Sequence, residues 1–385
     1  MSAPSVSAEY TDRDPGHGLG AVLVGCLGTA WYALVADRLF ASGHLNTLLE
    51  RVWRVSDDPA AMAGQWLTAW LLALTRRLPE AGPQSLVLLT VLAGGFTLGT
   101  FYWRLRRVRW SLPLALFATM LLALHPATLI LATTGQTLLL SVLLVGIVAL
   151  ALDRASTIGD AQSLMALGLA LAALVLTAPD AIYIALPIMA LLPFCLHDVR
   201  DSGSAVALFL LTLFPAVVAV GAILLAAATF GEAPTYALNR WVAPMHGLVE
   251  AASTPWLVRH GGHFFWPFLA LLPLCALAMP PMALPFISLL LRPEERARPV
   301  TALLALLGGP IAGAGAALFW HESGPLPAIG ITMAAVVAWT TSRRLQPAES
   351  LLWLVWLAIG TTLCWLTLWI WDEPGMLAWR RALAL

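Results

Sequence analysis

The sequence predicts an all-α polytopic transmembrane bundle, and three observations carry that prediction. Hydrophobic residues make up 60% of the 385 and charged residues only 11%, against roughly 25% charged in an ordinary soluble domain. Apolar segments near the length of a bilayer crossing recur along the whole chain, most of them with short loops between. The arginines gather in alternate loops, as expected of a chain that crosses a membrane repeatedly.

A hydrocarbon core of about 30 Å takes about 20 helical residues. By that measure the spans are 19–36, 84–103, 111–124, 136–152, 162–178, 181–196, 205–228, 264–291, 300–320, 325–341 and 350–371, about eleven in all. Those at 111–124 and 181–196 are short. Pro280, Pro281 and Pro285 interrupt 264–291, which is read as one bent crossing. With the N-terminus in the cytoplasm, that side receives Arg104, Arg106, Arg107 and Arg109, then Arg154 and Arg200, then Arg292, Arg296 and Arg298, then Arg343 and Arg344. The opposite short loops, around His125, Asp180 and Glu322, carry no arginine. Positive residues resist translocation, so the early loop 37–84 falls on the outer face of the cell (inner) membrane. The same reading puts Arg380 and Arg381 outside as well, against that trend.

Residues 1–18 are polar, mix charges and show no periodicity, and are expected to be a disordered cytoplasmic tail. Residues 19–228 form a first transmembrane module and 229–385 a second, with outer loop 230–263. In the early loop, Asn46 can cap one short helix and Asp58 with Pro59 a second. In the second, Ala63, Trp66, Leu67, Trp70, Leu71 and Leu74 recur at helical spacing, with Gln65, Thr68, Thr75 and Arg76 turned away. Such a helix lies along the outer interface or packs on the bundle.

Composition also excludes. The 21 basic residues, all arginine, balance 21 acids, which leaves no basic face for nucleic acid. Cys26, Cys195, Cys275 and Cys364 lie in separate apolar segments, without a CxxC pair, so neither a disulfide framework nor a zinc site is expected. No carboxylate, His or basic residue falls inside the spans, which argues against an ion-coupled transporter with a charged path.

Val35-Ala36-Asp37-Arg38-Leu39 closes the first span, a long outer loop with interfacial helices follows, and Phe101-Tyr102-Trp103-Arg104-Leu105-Arg106-Arg107 makes a basic turn after the second span. Ala123-Leu124-His125-Pro126 precedes the fourth span, and Gly168-Leu169-Ala170 and Thr177-Ala178-Pro179 lie at the fifth and sixth. Over about residues 19–230 this order resembles the GT-C-fold membrane glycosyltransferases, which take a sugar from a polyprenyl-phosphate carrier at the outer membrane face. The resemblance is one of pattern. It implies a GT-C-like bundle in which Asp37 is the catalytic base. Many members of that family carry a second acid between the third and fourth spans. Here Thr133-Thr134-Gly135-Gln136 stands in that place, and Gln136 can hydrogen-bond a sugar but cannot take a proton.

Sugar transfer from a lipid phosphate needs a base for the incoming hydroxyl and cations for the departing phosphate. Asp37 suits the first role; its ordinary alternative is a solvated acid at a helix C-terminus, where the dipole disfavours it. Arg240 and Arg259 suit the second through forked hydrogen bonds, or are plain interfacial arginines. His246, His260 and His263 line a sugar site on this reading. Asp57 and Asp58 bind substrate or cap a helix. Trp353, Trp356, Trp365, Trp369 and Trp371 in the last span form a carbohydrate platform or, as is commoner, membrane-interface anchors and lipid-facing bulk. A divalent metal is compatible with this chemistry, but no motif requires one and no metal ligand is assigned.

The leading function is therefore a membrane glycosyltransferase using a polyprenyl-phosphate sugar donor, with membrane lipid and partner membrane proteins as its surroundings. The alternative is a noncatalytic polytopic subunit that binds lipid-linked glycan or scaffolds an envelope assembly. A passive transporter of an uncharged or lipidic solute is the third reading.

Overall fold

The computed structural model describes residues 15–41, 66–75, 84–107, 109–135, 138–158, 160–177, 205–229 and 347–370, and the regular structure among these described residues is entirely α-helical. In chain order the helices are α1 (Pro15–Ala41), α2 (Trp66–Thr75), α3 (Gln84–Arg107), α4 (Leu112–Leu124), α5 (Pro126–Thr133), α6 (Leu138–Ile158), α7 (Ala161–Thr177), α8 (Ala205–Thr229) and α9 (Pro347–Ile370). All are rich in Leu and Ala, which lose little on entering a helix. Two segments, Gly18–Ala41 and Gln84–Arg107, each 24 residues, are long and apolar enough to cross a membrane.

The central pair is α1 against α3, antiparallel and very close. Glycines on both helices bring backbone to backbone, as small residues do where helices must approach tightly. A methyl on Gly99 would sit 2.8 Å from the Ala21 carbonyl oxygen, and one on Gly25 3.3 Å from that of Gly95. On Gly95 it would strike the Thr29 hydroxyl, which donates to the Gly25 carbonyl at 3.0 Å. At one end of the pair Gly20 meets the ring of Tyr102; toward the other, Tyr32 covers Gly94.

Around this pair stand α4, α5 and α6, which contact α3, followed by α7 on α6 and α8 on α7. The α7–α8 contact is again a close approach. A methyl on Gly168 would collide with the Thr212 carbonyl and lie 3.0 Å from the Pro215 ring, whose missing N–H interrupts the ladder inside α8. The last helix, α9, closes on α4. Trp353 is fully buried, its ring centroid 6.2 Å from Phe101 and 5.6 Å, edge to face, from Trp110. Farther along α9, Trp365 donates its indole N–H to the Leu124 carbonyl at 3.0 Å. Since Trp353 sits at the start of α4 and Trp365 at its finish, α9 runs parallel to α4.

The end of α3 is built unusually. Trp110 N–H bonds the Leu105 carbonyl and Arg109 N–H the Arg106 carbonyl, both at 3.1 Å. These nested bonds are those of a Schellman cap, whose left-handed position normally holds glycine. Here Arg109 occupies it, at φ 69°. For a residue with a Cβ that conformation costs about 1–2 kcal/mol.

Several boundaries differ from the sequence expectation. Helix α1 begins at Pro15, inside the predicted 1–18 tail, because proline is pre-set for a first helical turn. Residues 126–133, expected to be outer loop, are the separate helix α5, begun by Pro126 and ended before Gly135 at φ 71°. Helix α2 falls where the second interfacial helix is expected, but Thr68 is not turned away. It is fully buried and donates to the Thr177 carbonyl at 2.9 Å, while Trp70 and Leu74 face outward. The Asn46 helix lies outside the described residues. Trp353 is packed core rather than lipid-facing bulk.

Candidate functional site

Asp37 stands on the last turns of α1. Tyr32, Val35, Ala36 and Leu39 of the same stretch are buried, while Asp37 and Arg38 are exposed. At ~100° per residue, Asp37 lies roughly 150° from the middle of the buried stripe. It therefore continues the outward stripe of α1, which carries Leu19, Leu23, Leu27 and Leu34, all exposed. The carboxylate and the Arg38 guanidinium emerge where an uninterrupted apolar face ends.

Among the described residues, the surrounding end of the bundle is polar but mostly uncharged. It is formed by the C-termini of α1, α4 and α7, the N-termini of α3 and α6, and the short helices α2 and α5. Threonine hydroxyls there bond to helix carbonyls, Thr90 to one at the end of α5 and Thr133 and Thr134 back to carbonyls four residues earlier in that helix. Thr90 donates to the Ala132 carbonyl at 2.8 Å, Thr133 to that of Leu129 at 2.8 Å and Thr134 to that of Ile130 at 2.7 Å. His125, expected at an outer span end, is fully buried at the α4–α5 junction, its carbonyl accepting from Leu129 N–H at 3.0 Å. The Tyr32 hydroxyl is buried and has no hydrogen-bond partner among the described residues.

At the opposite end, Asp160 caps α7. Hydrogen bonds from Ser163, one of them from its N–H to Oδ1 at 2.9 Å, hold the carboxyl below the usual aspartate range, with a smaller contribution from Arg154. That is an N-terminal cap and not a reactive acid.

Of the residues assigned to a site from sequence, only Asp37 belongs to the described set. Gln136, Asp57, Asp58, Arg240, Arg259, His246, His260 and His263 lie outside the described residues. No group of three His, Cys, Asp or Glu comes together among the described residues. Sequence reasoning passed over Arg38 as a member of the site. Its phase with Leu27 and Leu34 was the available signal. Comparison of the chain with family models, with curated proteins and with solved structures finds no match.

Proposed function

We propose that the chain is a polytopic membrane protein that transfers a sugar from a polyprenyl-phosphate carrier to an acceptor at the membrane face where Asp37 emerges, as the GT-C-type enzymes it resembles do. The membrane part of this reading draws on α1 and α3, both long and apolar enough to cross, and on the outer faces of the helices. Leu19 at 69% exposure, Phe96 at 60%, Phe214 at 64% and Leu351 at 58% belong to an apolar perimeter spread over four helices. Water disfavours so many large exposed apolar side chains, whereas acyl chains do not.

The observation that carries the catalytic part is the place of Asp37 and Arg38 at the top of the exposed stripe of α1. A lipid-linked donor arrives sideways, its tail along apolar side chains and its phosphate at headgroup depth. On this reading Asp37 takes the proton of the acceptor hydroxyl, whose oxygen attacks the anomeric carbon while the carbon–oxygen bond to the carrier phosphate breaks. The polyprenyl phosphate leaves with the bonding pair, and cations stabilise its charge. Arg38 is one such cation, and Arg240 and Arg259 are the others this proposal names. His246, His260, His263, Gln136, Asp57 and Asp58 are its sugar contacts.

The test is transfer of radiolabelled sugar from a panel of polyprenyl-phosphate monosaccharides by membranes containing the full chain. Asp37→Asn abolishes transfer while the protein stays in the membrane at normal level. One observation favours the noncatalytic subunit instead: Asp37 points away from the packed interior. Under that reading Asp37→Asn is silent, whereas Trp70→Ala on the outward face of α2 disrupts co-purification with partner membrane proteins.

A further inference from the structure

We propose that the turn joining α3 to α4 binds the phosphate of an anionic lipid headgroup. This rests on the membrane reading and is independent of sugar transfer. Arg104, Arg106, Arg107 and Arg109 fall within six residues, and three features set them apart from an ordinary basic loop.

The first is the strained cap. Glycine or asparagine fits the left-handed position of a Schellman turn without penalty, yet Arg109 holds it, exposed, at φ 69°. Strain kept at an exposed cation points to a use for the cation. The second is pre-arrangement. Arg106 Nη1 grips the Trp110 carbonyl at 2.6 Å, and the Arg107 guanidinium stacks 5.1 Å above the centre of the Trp103 ring. The backbone of the turn and one of its exposed cations are therefore already placed, which lowers the entropy lost on binding.

The third is an exposed apolar surface beside the cations. Phosphate oxygens supply acceptors and charge together. Lipid rather than free phosphate is the fitting source, because Leu112 and Leu116 on α4 and Leu351 and Val355 on α9 continue outward from the turn as exposed apolar surface for acyl chains.

The experiment uses the full chain in nanodiscs of equal phosphatidylglycerol and phosphatidylcholine. After detergent extraction, the retained lipids are counted by mass spectrometry. Wild type retains phosphatidylglycerol preferentially. An arginine near a membrane surface is worth roughly fivefold in anionic-lipid affinity, so Arg107→Gln with Arg109→Gly lowers the preference about 25-fold. Arg109→Gly alone is expected to raise the thermal midpoint while weakening the preference about fivefold. An unchanged preference in the double variant overturns the proposal, and so does a loss of stability in Arg109→Gly, which would make the arginine structural. Displacement of phosphatidylglycerol by millimolar inorganic phosphate overturns the lipid assignment. Release of the protein by alkaline carbonate overturns the membrane reading itself, an outcome separate from a membrane-bound protein that shows no lipid preference.

Discussion

Replacing Gly95 by alanine is the sharpest test of how α1 and α3 meet. The added methyl would strike the Thr29 hydroxyl and lie 2.7 Å from the Gly25 carbonyl oxygen and 2.9 Å from the Thr29 backbone nitrogen. The hydroxyl can rotate away, but the two backbone atoms cannot move without separating the helices. Overpacking of this kind costs about 1–3 kcal/mol, and the upper part of that range applies because the obstacles are main chain. Gly146 in α6 is the internal control, since a methyl there meets nothing within 4 Å. Gly146→Ala should be neutral or stabilise by up to about 1 kcal/mol through helix propensity. Denaturation of the micelle-bound protein by sodium dodecyl sulfate, followed by tryptophan fluorescence, measures both. Adding Thr29→Ala to Gly95→Ala should recover only the part due to the hydroxyl. If Gly95→Ala and Gly146→Ala differ by less than about 0.5 kcal/mol, the close backbone contact described for this pair does not exist.

Three further outcomes are expected. Thr68→Val keeps the shape of the side chain but removes the donor to the Thr177 carbonyl, and should lower stability by about 1 kcal/mol in the same titration while freeing α2 to limited proteolysis. Asp160→Asn should be less stable than wild type at neutral pH. Because the folded carboxyl titrates below its ordinary value, the advantage exists above the usual aspartate range and fades as pH falls through the lowered folded value, so unfolding midpoints of the two proteins should converge in acid. In a background with Cys26, Cys195, Cys275 and Cys364 replaced by serine, an impermeant maleimide should label Gln84→Cys and Arg109→Cys from opposite sides of sealed vesicles. Labelling of both from one side would show that α3 does not cross.

What was legible in the sequence follows from what hydropathy measures. Long apolar runs located α1, α3 and α8, giving α8 to within a residue but α1 four residues short at its start and five at its end, and the helical recurrence of Trp66, Leu67, Trp70, Leu71 and Leu74 located α2. The direction in which a residue faces was much less visible. Thr68 turns inward because the last turn of α7 needs a donor, and that partner lies 109 residues away in sequence. Trp353 and Trp365 look alike on a hydropathy scale, yet one fills the space between Phe101 and Trp110 and the other spans to α4 by a single hydrogen bond. Helix α5 escaped notice because eight residues between Pro126 and Gly135 are too few to establish a period. Arg109 left no trace at all, since the residue that signals its turn is a glycine that is not there. As for the site, the position of Asp37 at the exit of α1 was plain, and its outward direction followed from its phase with Leu27 and Leu34.

The two ends of the described bundle satisfy their backbone by opposite means, and this bears on how the proposed chemistry would be sided. At the Asp37 end, Thr68 and Thr90 close the C-terminal carbonyls of Thr177 and Ala132 with hydroxyls, adding polarity without charge. At the other end Arg106 does the corresponding work for the Trp110 carbonyl, amid three more arginines. A chain that crosses a bilayer retains its arginine-rich ends in the cytoplasm, so the hydroxyl-lined end would face outward. Helices α4 and α9, being parallel, would cross in the same sense, the sense that the sequence reading gives its third and last spans. Among the described residues of that end, Asp37 and Arg38 are the charged side chains, and the proposed chemistry would use them as base and phosphate contact.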